Sequence, residues 1–139
     1  DRRPGRASRS GAQAEMMLWR IATLLLALAA PAWAQQAMDQ SQAALKAYQA
    51  RDYQTAARLW YSLANSGDAT AQYNLGRLYA QGEGVPRDMP EAYKWFALAR
   101  AAGRSESNAA LNKIARTMTA AQIAEGQRRA QQWQQARRP

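Results

Sequence analysis

Two short stretches hold the residue types from which a reactive site might be assembled. Gly82-Glu83-Gly84 is a glycine loop ahead of a helical segment, the local arrangement that seats a phosphate on a helix N-terminus. Glu83, Asp88 and Glu91 lie close enough in sequence to set carboxylates side by side, as general acid–base pairs require. Neither pattern is complete. No strand pattern leads into the loop, and neither Lys nor Ser/Thr follows the glycines where a phosphate loop needs them. Asp88 and Glu91 stand where helix caps stand, and no basic or nucleophilic partner is recognisable beside them. The chain has no Cys and no His, which removes thiol nucleophiles, disulfides, thiolate metal sites and imidazole acid–base chemistry together. Metal binding would rest on oxygen ligands, and Asp plus Glu total 10. The expectation is a non-enzyme, with no catalytic, cofactor-binding or metal-binding residues and no cofactor.

What remains is recognition chemistry. The formal charge is +9 and the sequence pI ≈ 10.6, a balance that suits nucleic acid, anionic lipid or an acidic protein. Arg128-Arg129 and Arg137-Arg138 form the basic cluster, read as a solvated terminal face, with docking on anionic lipid or an acidic partner as the sharper alternative. Thr70, Asn74, Arg77 and Gln81 fall at i, i+4, i+7 and i+11, opposite an Ala71/Leu75/Leu78 stripe, and are the candidate partner-binding residues. Trp60, Trp95, Phe96, Tyr73, Tyr79 and Tyr93 could stack on ligands, but their helical spacing assigns them to core packing.

These side chains need helices to position them. Ala43, Ala44, Ala47 and Tyr48 predict a first helix over about 38–50, preceded by a polar, frayed stretch from Gln35 to Gln40. Asp52 caps a second helix whose face is Ala56, Leu59, Trp60, Leu63 and Ala64, and Gly67 stops it. Asp68 caps a third, with Ala71, Leu75, Leu78 and Tyr79. Asp88 caps a fourth, with Pro90 in its first turn and Glu91 completing a capping box, and Gly103 ends it. Ser105 opens a fifth through Leu111, Ile114, Ala115 and Met118. Thr119 and Gln122 form a second capping box for a last helix through Ile123, Ala130 and Trp133. No strand run is present.

Part of this pattern occurs twice. Arg51-Asp52, Ala56 and Gly67 recur 36 residues on as Arg87-Asp88, Ala92 and Gly103, with Leu59-Trp60 answered by Trp95-Phe96. A fixed period in this range signals stacked helical hairpins. Gly76, in mid-helix, costs roughly 1 kcal/mol against Ala, so a close helix contact at Trp95 or its neighbours must compensate. A third unit decays: Ala110, Ile114 and Ala115 match Ala71, Leu75 and Gly76 at an offset of 39, and the glycine loop is then missing. Terminal repeats are commonly atypical because one face stays wet.

At Ala71, Leu75, Gly76, Tyr79, Gly82, Gly84, Val85, Asp88, Ala92, Trp95 and Ala101-Ala102-Gly103 the chain resembles the Sel1-like repeats, relatives of the tetratricopeptide repeats. The resemblance covers roughly residues 43–133, with one repeat nearly complete and the one before it lacking the five-residue glycine loop. It implies an all-α fold, a short right-handed solenoid of antiparallel helix pairs, that binds other proteins and is not an enzyme.

The N-terminus predicts export. Residues 1–15 are an Arg-rich leader of doubtful status. Met16 to Ala34 joins a short basic start, the apolar run Ile21–Ala30 and a small-x-small end at Ala32-Trp33-Ala34, the pattern of a signal peptide cleaved before Gln35. The run is about half the roughly 20 residues that span a bilayer. Removing the first 34 residues takes away a net +3 and leaves +6 on residues 35–139, the helical-repeat domain. The expectation is a periplasmic or secreted interaction module or adaptor of the bacterial cell envelope. Its partner would be another envelope protein or a peptide, with no nucleic acid and no membrane span after cleavage. The alternatives are a cell-wall-peptide-directed enzyme and a binder of anionic envelope polymers.

Overall fold

The computed structural model describes residues 11, 13–20 and 30–139. The chain divides into two compact units, Asp1–Gln36 and Ala37–Pro139. In the first, residues 13–20 are helical, with Met16, Met17, Leu18 and Trp19 exposed. The core of the expected signal segment, residues 21–29, and residues 1–10 and 12 of the upstream leader lie outside the described residues. Among the described residues no helix is long and apolar enough to cross a membrane.

Six helices carry the repeat region: α1 (Ala32–Gln49), α2 (Tyr53–Asn65), α3 (Ala69–Gln81), α4 (Met89–Ala101), α5 (Glu106–Ala115) and α6 (Ala120–Gln135). The second unit forms an all-α helical-repeat solenoid of three hairpins, α1/α2, α3/α4 and α5/α6. The stretch expected to fray, Gln35–Gln40, is helical. The Pro31 carbonyl accepts from the Ala34 and Gln35 amides at 2.8 and 3.1 Å and so starts α1 early, and no Gly or Pro follows until the helix ends. Arg51 turns the chain in the left-handed region, with φ of 60°.

The 36-residue period is a conformational one. Asp52 accepts from the Thr55 amide at 3.2 Å and Asp88 from the Glu91 amide at 2.9 Å, each opening the second helix of its hairpin. Ala56 and Ala92 are both fully buried. Gly67 and Gly103 both close their helices at positive φ, 100° and 95°. In the third hairpin the cap is Thr119, 31 residues after Asp88 rather than 36, because the glycine loop is absent. Thr119 and Gln122 form the reciprocal capping box that was expected. Asp88 and Glu91 do not: the Asp88 amide donates instead to the Tyr79 carbonyl at 3.1 Å. Ser105 precedes α5 without a side-chain cap, its backbone already helical at φ −64°.

Two layers of core sit between the hairpins. One gathers Trp60, Leu63, Leu75, Leu78, Trp95 and Leu98; the other gathers Ala92, Phe96, Leu111, Ile114 and Met118. Gly76 is the contact point expected of it. A Cβ there would stand 2.9 Å from the Phe96 ring, so the absent methyl is what seats Phe96 beneath α3. Gly126, which the sequence did not single out, plays the same part on α6, where a Cβ would lie 2.8 Å from the Tyr93 side chain.

Candidate functional site

α3 and α5, the first helices of the second and third hairpins, flank α4 and leave a groove of about 580 Å³ between them. Its walls are mostly apolar: Tyr73 and Ala80 from α3, Met89 and Phe96 from α4, Ala109, Ala110 and Ile114 from α5. Small side chains at Ala80, Ala109 and Ala110 leave the space between the two walls unfilled. Phe96 is 2% exposed and tilted against Tyr73 of the α3 wall, with ring centroids 5.5 Å apart. Arg77, Gln81, Arg87, Glu106, Lys113 and Thr117 complete the lining.

The polar ridge divides over this geometry. Arg77 and Gln81 line the groove; Thr70 and Asn74 are not part of its wall. Thr70 accepts from Arg104 Nη1 at 2.7 Å, and the same guanidinium lies 4.8 Å from the Tyr73 ring centre. Arg77 donates from Nη2 to the Tyr48 hydroxyl at 3.1 Å, which ties α3 to α1 and fixes where that cation stands. Lys113 was not singled out by sequence, and Arg87 was noted only as part of the repeated Arg-Asp pair. The 39-residue offset held the signal for Lys113, since it puts that residue at the position of Asn74 one hairpin on. Arg87 follows the glycine loop, and nothing local marks it.

The carboxylate cluster has a different use from the one its spacing suggested. A basic partner exists, supplied from α6. Arg129 Nη1 donates to Asp88 Oδ2 at 3.0 Å and to Glu91 Oε2 at 2.9 Å, while its Nε donates to Glu125 Oε1 at 2.8 Å. Lys94 adds a contact to Glu91 at 2.8 Å, and Arg128 binds both oxygens of Glu125. The expectation of a solvated basic face therefore fails at Arg129, which fastens the last helix to the N-terminus of α4. The reason is long-range: 41 residues separate Arg129 from Asp88. Trp133 joins the same attachment by donating from Nε1 to Asn65 Oδ1 at 3.2 Å.

The hydrogen bonds from Arg128 and Arg129 hold the Glu125 carboxyl well below its ordinary value of 4.5, at about 2. A carboxylate with a lowered folded-state pKa stabilises fully above its unfolded value, and that contribution is lost as pH falls through the folded one. Between pH 4.5 and 2, Glu125→Gln should flatten the acid-induced loss of stability relative to the unaltered chain. Parallel denaturant titrations at pH 6, 4 and 2.5 check this; an equal dependence of stability on pH for both chains would refute the pairing of Glu125 with Arg128 and Arg129.

Residues 47–68 and 69–103 each match the family model for the Sel1 repeat. Over 74 residues the chain is 36% identical to the alginate biosynthesis protein AlgK of Azotobacter vinelandii. That alignment covers 53% of this chain and 16% of the relative, so the chain spans a small part of the relative's length.

Proposed function

We propose, from the two Sel1 repeats at residues 47–68 and 69–103, that this chain is an interaction module or adaptor of the cell envelope, periplasmic or secreted. It holds a segment of a partner protein in the groove between α3 and α5. The observation that carries this reading is the groove itself: a largely apolar cleft between α3 and α5, rimmed by polar and cationic groups. The carboxylates nearest to an acid–base arrangement are engaged by Arg129 and Lys94, which supports a scaffold over a catalyst. The basic start at Met16, the apolar run and Ala32-Trp33-Ala34 support export with cleavage before Gln35, and a relative named for alginate biosynthesis supports an envelope setting.

Placing a photoreactive amino acid at Ala110, in the groove, and separately at Gln134, in the smaller pocket between α4 and α6, tests the reading in producing cells. The expected result is a protein adduct from position 110 and none from 134. Adducts from 134 alone would move the interface to the pocket between α4 and α6. N-terminal sequencing of the recovered protein tests export, with Gln35 expected as the first residue.

A further inference from the structure

We propose that the groove takes an acidic segment of a partner protein, one in which carboxylates flank apolar side chains. The inference rests on the interaction reading and adds the chemistry of the partner. Its basis is the state of the charges around the groove. Arg77, Arg87 and Lys113 line the rim, and among the described residues none of the three is ion-paired. The one carboxylate in the lining, Glu106, faces Arg104 at 3.5 Å. Elsewhere Lys94, Arg104, Arg128 and Arg129 are matched with carboxylates, while Arg51, Arg58, Arg100 and Arg116 are in no ion pair among the described residues, so what distinguishes the three rim cations is their place around one apolar groove. The rim cations stand on three separate elements, α3, the loop before α4, and α5, so their positive field converges on the groove between them.

Two features favour a peptide over a polyanionic sugar. The walls are built from Tyr73, Ala80, Met89, Phe96 and Ile114, which bury aliphatic or aromatic side chains and offer little to a hydroxyl-rich chain. Arg77 is also fixed by Tyr48, so one cation is already placed for a carboxylate and loses little freedom on binding.

The test uses the full chain and defined probes. A fluorescent pool of dodecapeptides with two carboxylates flanking Leu or Phe is compared with the same pool carrying Gln and Asn in place of the acids, and with oligogalacturonate. Binding is read by anisotropy at 0.05 and 0.5 M NaCl. The acidic pool should bind about tenfold more tightly than the amide pool, the scale of a few partly exposed charge pairs. High salt should remove most of that difference. Arg87→Glu with Lys113→Glu should abolish the preference, with circular dichroism unchanged. Ala110→Trp fills the groove and should abolish binding of both pools. If both pools bind equally and Ala110→Trp stops both, the groove reading stands and the acidic-partner proposal is overturned. If Ala110→Trp leaves binding intact, the groove reading itself fails. If oligogalacturonate binds and the peptides do not, the partner is a polymer and the proposal is overturned.

Discussion

Trp95→Ala should lower the stability of the fold by about 3–5 kcal/mol, the range for truncating a buried aromatic ring. Trp95 is fully buried and lies where the second helices of all three hairpins meet. Its ring stands edge-on to Tyr61 of α2 at 6.1 Å and to Trp133 of α6 at 6.2 Å, and the Lys94 ammonium sits 4.3 Å from its centre. Against a total of about 5–15 kcal/mol for a domain of this kind, the loss would leave the fold marginal. Trp95→Phe is the informative companion. The indole Nε1 is buried and has no hydrogen-bond acceptor, so phenylalanine removes an unsatisfied donor while keeping most of the ring contact. Its cost should be well under half that of alanine in a guanidinium titration followed by circular dichroism. A change of under about 1 kcal/mol for alanine would mean that the ring is not the joint between hairpins.

The helices were legible because their signals are local. Asp52, Asp68, Asp88 and Thr119 each cap the helix that follows within three residues, and the apolar stripe of each helix lies within its own few turns. The repeat was legible because hairpin packing imposes the same small and glycine positions twice. The groove was half legible: Arg77 and Gln81 follow from the face opposite the stripe of α3, but its other wall comes from α5, in the unit whose sequence decays. Arg129 was misread for the same reason. Its identity as a structural cation depends on Asp88 and Glu91, and no periodicity links residues of α6 to the start of α4. Gly126 escaped because a lone glycine in a polar helix looks like a weak point until Tyr93 is seen against it. The start of α1 was missed because polarity was taken for fraying, whereas alanine and glutamine sustain a helix well.

Gly84→Ala should be nearly as damaging as loss of Trp95, although it adds a single methyl. Gly84 sits at φ +71°, a region that costs an alanine about 1–2 kcal/mol. The larger effect is steric. A Cβ at Gly84 would fall inside contact distance of the Tyr53 carbonyl group and 2.7 Å from the Gln54 amide nitrogen, so it meets backbone of the preceding hairpin, not a side chain that can swing away. Tyr53 cannot retreat cheaply, because it opens α2 directly after the Asp52 cap. Overpacking of this kind costs about 1–3 kcal/mol, giving about 2–5 in all. Gly82→Ala separates the two effects. Gly82 has nearly the same φ, 70°, but its Cβ would meet only the Arg87 side chain closely, at 3.2 Å. It should cost about 1–2 kcal/mol, and Gly82→Asn should recover part of that, since asparagine tolerates the left-handed region. The gap between Gly84→Ala and Gly82→Ala, measured by denaturant titration, is then the contact between consecutive hairpins, and equal costs would show that the loop does not press on α2. The same displacement bears on binding. Arg87 leaves the loop three residues after Gly84, so lifting the loop from Tyr53 moves one of the three rim cations, and Gly84→Ala should weaken the acidic-peptide preference even at temperatures where the fold survives.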